Sequence, residues 1–313
     1  MSVYTEITQQ ELADFMSRFD LPPATHFEGV EAGVENTTYF VTAGREWVLQ
    51  IFEEQGFDEV PFFVELNKRL GDASVPVAIP VPDHEGQRLH TFKDKPAVLF
   101  PKLVGRAPMA PNNRQRAALG TALAQMHLAS ANMPEMQRDN HRWDSWWEGN
   151  EARVQAFLSD EGKALLATQI ADTRTWLDSN PALPSGIIHG DLFRDNSLFD
   201  GDEIAGIIDF YNACTGYFVF DLAVTLNDWC SNPDGTLDVD AANAMRSAYE
   251  AVRPLNEQEQ SHWDIVIQTA ALRFWMLRLV ALARRAEGGP GAPPHVKDPG
   301  AFEQILKARR AGL

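Results

Sequence analysis

Cysteine is almost missing from this chain. Two among 313 residues, Cys214 and Cys230, are too few for a disulfide framework or a thiolate metal cluster; they fit thiols in a reducing compartment. Basic residues are also scarce, 27 against 44 acidic ones, for a formal net charge of −17. That balance argues against nucleic acid or an anionic membrane as partner, since either requires a basic patch. No apolar run of membrane-spanning length goes unbroken: the longest, Ile265–Ala283, is interrupted by Gln268, Arg273 and Arg278. The opening segment, MSVYTEITQQELADF, has neither the basic nor the apolar stretch of a secretory leader. A cytoplasmic protein is expected. Internal repeats and low-complexity tracts are lacking as well.

What is present is an ordinary globular composition, 44% hydrophobic and 23% charged, long enough for two lobes. Thr8 and Glu11 form a capping-box pattern ahead of Leu12, Phe15, Met16 and Phe19, one apolar face of a helix. Strands are expected over Thr25–Ala32, Asn36–Thr42 and Glu46–Phe52, then a helix near Asp58–Leu70, then strands at Val77–Val81, Arg88–Phe92 and Ala97–Leu103. From Pro111 the pattern turns helical: Asn113–Ser130, Arg142–Leu158, Glu161–Ser179, Phe220–Cys230, Ala241–Val252 and Glu257–Ala286. A β island at Ser185–Tyr211 interrupts it, with Asp200-Gly201 turning a hairpin. The expected fold class is α+β and bilobal, with a β-rich lobe over 1–104 and a mainly helical lobe over 105–313.

The most informative run is Ile187-Ile188-His189-Gly190-Asp191-Leu192-Phe193-Arg194-Asp195-Asn196, followed by Ile207-Ile208-Asp209. Phosphoryl transfer from ATP requires such a set: a carboxylate to orient the attacking hydroxyl, and an Asn and an Asp to hold Mg²⁺. Asp191 is the expected catalytic base, Asn196 and Asp209 the expected metal ligands, and His189 a scaffold group. Protein kinases carry a related H-R-D-x-x-x-x-N loop and a later D-F-G. Here the loop reads H-G-D-x-x-x-x-N and the second segment Asp209-Phe210-Tyr211. Gly29–Asn36, including Gly33 and Asn36, would cover the phosphates. The third-strand Lys of kinases is replaced by Gln50, which brings no charge. Glu59 and Glu65 on the following helix therefore lack that Lys as partner. Adenine would be read from the strand that includes Phe100, by the amide of Lys102 or Leu103, since Pro101 has none.

These residues resemble the aminoglycoside phosphotransferase and choline kinase-like superfamily over nearly the whole chain. The carriers are Gly33-Val34-Glu35-Asn36, the helix Ala122–His127, His189-Gly190-Asp191 with Asn196, and Ile208-Asp209-Phe210. Within it the chain is most similar to the bacterial homoserine kinases built on that fold. Val48–Glu53, Pro61-Phe62-Phe63, Asp221–Val224, Leu226–Cys230 and Ala271–Trp275 support this, and that subfamily also accepts a residue other than Lys where Gln50 stands. The resemblance implies transfer of the ATP γ-phosphoryl group to L-homoserine, a step toward threonine. Arg can grip a carboxylate bidentately, so Arg194 and Arg273 are candidates for the substrate carboxylate, and Asp228 and Trp229 for its other end. Two readings compete. A kinase for choline, ethanolamine, methylthioribose or an aminoglycoside would share the ATP machinery, with Trp143, Trp146 and Trp147 caging a cation or simply packing a core. A nucleotide-binding pseudokinase would account for Gln50, against the retention of Asp191, Asn196 and Asp209.

Overall fold

The computed structural model describes residues 4–30, 36–141, 143–288 and 296–312. Gly33 lies outside them. Cα packing divides the chain into two units. The first is Met1–Arg106 with Leu198–Gly201 and Ala205–Tyr211; the second is Ala107–Ser197 with Asp202–Ile204 and Asn212–Leu313.

In the first unit, helix α1 (Gln9–Met16) starts on the Thr8–Glu11 capping box. Strands β1 (His26–Gly29), β2 (Asn36–Ala43), β3 (Arg45–Phe52), β4 (His90–Phe92) and β5 (Lys95–Pro101), with helix α2 (Val60–Asp72) between β3 and β4, complete the main framework. The sheet order is β1-β2-β3-β5-β4, and every pairing is antiparallel. Alternation along β3 sends Trp47, Leu49 and Ile51 to one face, where they pack with Leu12, Phe15 and Met16 of α1. The opposite face carries Val48, Gln50 and Phe52; Gln50 stands between Thr38 of β2 and Val98 of β5, and Val48 opposite Phe100. Phe52 and Val98 pack there with Val60 and Phe63 of α2, and Tyr211 meets Phe52 and Phe63 edge-on at 5.4 and 5.6 Å.

The second unit holds α3 (Asn113–Ala131), α4 (Asp144–Val154), α5 (Asp160–Asp178), β6 (Ser185–Ile188), β9 (Cys214–Tyr217), α6 (Phe218–Trp229), α7 (Val239–Val252), α8 (Glu257–Ser261), α9 (Trp263–Glu287) and α10 (Pro299–Arg310). Strands β7 (Ser197–Asp200) and β8 (Glu203–Ile207) form a hairpin whose residues are shared between the units. β6 pairs antiparallel with β9, Ile188 opposite Cys214. By composition α9 is long and apolar enough to cross a membrane, but 67% of that window is buried among the chain's own residues; it packs on α4, α5, α6 and α10 as a core helix.

Several elements differ from expectation for physical reasons. Val77–Val81 forms no strand; Pro76, Pro80 and Pro82 remove ladder donors, leaving one parallel bridge from Val77 to Ile207 and one bond from the Val81 amide to Leu99. The long helix expected over Glu257–Ala286 breaks at His262, which sits outside helical geometry between α8 and α9. β9 is too short for an alternation signal, and α10 hides behind Pro299-Gly300, where Asp298 caps the helix and Pro299 opens it. A single break at residue 104 also misses the return of the hairpin. The Ile207 amide donates to the Pro76 carbonyl at 2.7 Å and Arg106 bridges Phe199, so Asp209 groups with the first unit.

Candidate active site

The His189–Asn196 loop follows β6, whose Ile188 is buried. Gly190 adopts φ +75°, and a side chain there would put its Cβ 3.0 Å from the Asn212 carbonyl oxygen, so both the backbone and the close approach favour glycine. Asp221, in the first turn of α6 and fully buried, holds the loop. Its Oδ2 accepts from the His189 amide and its Oδ1 from the Gly190 amide, both at 2.8 Å. Behind it runs a buried relay. His127 of α3 meets Asp221 Oδ2 through Nε2 at 3.1 Å, and its Nδ1 lies 2.7 Å from the Tyr249 hydroxyl. Arg253 donates to Tyr249 at 3.0 Å and to Glu259 at 2.9 Å. The partners assign the tautomer: neutral His127 donates from Nε2 to the carboxylate and accepts at Nδ1. Burial pushes the imidazole pKa below its usual value although Asp221 pulls the other way. Burial alone would raise Asp221, but its bonds to His127 and the loop hold its carboxyl below the usual range.

Asp191 projects from this clamped loop, half-buried. Its Oδ2 accepts from Asn212 Nδ2 at 3.2 Å, and its amide donates to His189 Nδ1 at 3.3 Å. Its carbonyl accepts from Asn196 Nδ2 and from the Phe193 amide, both at 2.8 Å. Asn196 is thereby fixed beside Asp191 by its nitrogen, with its side-chain oxygen left for another partner. An amide oxygen is one of the donors a hard cation takes. In the first unit Asp209 has φ +66°, a left-handed position that Asp tolerates better than most residues, and leads into a short helical turn, Phe210–Asn212. Also in the first unit, Asn36 is buried; its Oδ1 accepts from the Glu53 amide at 3.2 Å, and its Nδ2 has no acceptor among the described residues. Gln50 and Phe100 lie half-buried on the same face of the sheet.

Other expected roles change. The Lys102 amide donates to the Glu46 carbonyl at 3.2 Å, and its ammonium pairs with the Glu46 carboxylate at 2.8 Å over the Phe40 ring. The β3–β5 ladder thus runs one rung past Pro101 and takes up this residue, leaving Leu103 as the candidate amide. Arg194 and Asp228 engage each other: Nε and Nη2 of Arg194 reach the Asp228 oxygens at 3.1 and 3.3 Å, and the Arg194 amide adds a third bond at 2.9 Å. They are one ion pair, rather than two separate hands for a substrate. Trp229 is 2% exposed and belongs to the core. Arg273 is equally buried, bonded to Asn140 at 3.0 Å, with Nη2 3.6 Å from the Cβ position on Gly190; it supports the loop from behind. Trp143, Trp147 and Phe220 pack on one another at 5.3 and 4.8 Å, a core cluster and no cage. Glu65 pairs with Arg69 along α2 at 2.6 Å. Asp221, His127 and Asn212 were not picked out as site residues from sequence spacing.

Residues 26–255 match the profile of the phosphotransferase enzyme family. The chain belongs to this family. Over almost its whole length it is similar to curated homoserine kinases. That of Methylobacillus flagellatus is 38% identical across 98% of this chain and 95% of the relative. That of Neisseria meningitidis serogroup B is 39% identical across 98% and 99%, and that of Pseudomonas aeruginosa 38% across 99% and 97%. Among solved structures, an amicoumacin kinase in complex with AMP-PNP and Ca²⁺ superposes with a TM-score of 0.71 at 15% identity, covering 97% of this chain and 92% of that one. Spectinomycin phosphotransferase in complex with ADP and spectinomycin gives 0.66 at 14% identity over 97% and 95%. These neighbours place the chain in the kinase-like phosphotransferase fold.

Proposed function

We propose that the protein transfers the γ-phosphoryl group of ATP to the side-chain hydroxyl of L-homoserine, giving O-phospho-L-homoserine and ADP. The observation that carries this reading is Asp191, displayed on a loop clamped by Asp221, in a chain that matches homoserine kinases from end to end. Asp191 accepts the proton of the acceptor hydroxyl as the new O–P bond forms and the bond from the γ-phosphorus to the bridging oxygen breaks; the electron pair leaves with ADP. Asn212 fixes the carboxylate in line and Asn196 fixes the loop carbonyl. Asn196 Oδ1 and the Asp209 carboxylate would hold Mg²⁺, which supplies charge neutralisation at the phosphates when bound. That contribution matters here because the chain is strongly acidic and Gln50 brings no cation. The nucleotide face is the Val48, Gln50, Val98 and Phe100 side of the sheet, with the Leu103 amide reading adenine and Asn36 beside the phosphates.

The test is ADP release with Mg²⁺-ATP across L-homoserine, L-serine, choline, methylthioribose and kanamycin. Selective turnover of L-homoserine is expected. Preference for another acceptor overturns the substrate and keeps the machinery of Asp191; ATP binding without any transfer favours a non-catalytic protein.

A further inference from the structure

Three arginines stand near the Asp191 loop in the second unit, and their donors are spent differently. Arg194 commits its fork and its amide to Asp228. Arg273 is buried behind Gly190 with Nη1 on Asn140. Arg278, on α9, is half-buried, and among the described residues it forms no ion pair; Nη1 donates to the Asp298 carbonyl at 2.8 Å. Its guanidinium lies 4.5 Å from the centre of the Phe302 ring.

That ring ties Arg278 to the catalytic loop. Phe302 of α10 stacks on Phe193 with centroids 5.8 Å apart and planes 8° from parallel. Phe274, one turn before Arg278, tilts against Phe193 at 4.5 Å and Phe302 at 5.4 Å. Phe193 in turn donates its amide to the Asp191 carbonyl at 2.8 Å. One aromatic trio therefore links the helix that carries Arg278 to the Asp191 loop. Lys297, just ahead of α10, closes the same side by pairing with Asp195 at 2.7 Å. Burial lowers the Arg278 pKa, and Asp228, Asp298, Asp191 and Asp195 counter it.

We propose that Arg278 grips the carboxylate of the amino-acid acceptor and so sets specificity for a zwitterion over a simple amino alcohol; this rests on the homoserine reading above. A partly desolvated guanidinium with donors to spare is suited to a bidentate carboxylate bond. An acceptor lacking the carboxylate would leave the fork unmatched.

The experiment compares wild type, Arg278→Met and Arg278→Lys with two acceptors, L-homoserine and 3-aminopropan-1-ol, which is homoserine without its carboxylate. Thermal melting of each variant accompanies the kinetics. For Arg278→Met the KM for L-homoserine rises about 50-fold, the span of a lost charged hydrogen bond, with kcat within about threefold. The kcat/KM for 3-aminopropan-1-ol stays level. Arg278→Lys keeps the charge, loses the fork and falls between; it carries the test alone if the Met variant does not fold. Equal losses for both acceptors, or no loss for L-homoserine in a variant of an active wild type, overturn the assignment and leave the homoserine reading intact. A wild type that turns over no L-homoserine overturns that reading and Arg278's role together.

Discussion

Asp191 draws its chemistry from neighbours that fix where it points. Asn212 holds its carboxylate and Asn196 its carbonyl, and the chain reverses at Gly190, where φ is +75° and the Asn212 carbonyl comes close. Substituting Gly190→Ala puts a methyl group into both constraints. Stability is expected to fall by about 1–2 kcal/mol from the left-handed backbone, and kcat to fall while ATP affinity holds, because the loop that moves carries Asp191. Urea unfolding and steady-state kinetics check this; a variant as stable and as active as wild type contradicts the strained-turn account. Asp191, Asn196 and Asp209 stand out as candidates in the sequence because their spacing is local. Asn212 was not, because its partner is reached only through the fold. Lys102 was misread because nothing in the sequence says that the β3–β5 ladder continues past Pro101 to take its amide.

At the level of elements, the loop after β6 is held by the start of α6, and α6 is locked to α3, α7 and α8 by the relay from Asp221 through His127, Tyr249 and Arg253 to Glu259. Buried polar groups persist when each has its partner, and here each step has one. The relay has a signature in pH. His127 has a folded pKa below its usual 6.5, so below that value the unfolded chain takes up a proton that the folded chain does not. Its contribution to stability is present above pH 6.5 and lost as pH falls below it, by up to about 1.4 kcal/mol per pH unit. Urea midpoints between pH 8 and 5 should therefore decline less steeply for His127→Gln than for wild type; parallel declines contradict a neutral, buried His127. Most helices and strands were readable from apolar periodicity, α1 down to its cap. The relay was not, because a His on an apolar helix face and an Asp in a first turn each have ordinary explanations until the fold brings them within 3.1 Å.

The whole molecule combines a five-stranded antiparallel sheet unit with a helical unit and a net charge of −17. An acidic protein that uses an acidic nucleotide needs its positive charge placed locally. For the phosphates we propose a bound divalent cation, and for the acceptor Arg278. All of this presumes one event, transfer of a phosphoryl group to the homoserine hydroxyl with Asp191 taking the proton. The measurement that tests it most directly is ³¹P NMR of a reaction containing the full chain, Mg²⁺-ATP and L-homoserine, run in parallel with Asp191→Asn. The account predicts ADP and a phosphomonoester in equal amounts, its signal split by the two protons of the adjoining methylene group. In Asp191→Asn the rate should fall about 10²–10⁴-fold with nucleotide affinity retained. ADP accompanied only by inorganic phosphate, or an Asp191→Asn variant that forms the ester at the wild-type rate, would contradict it.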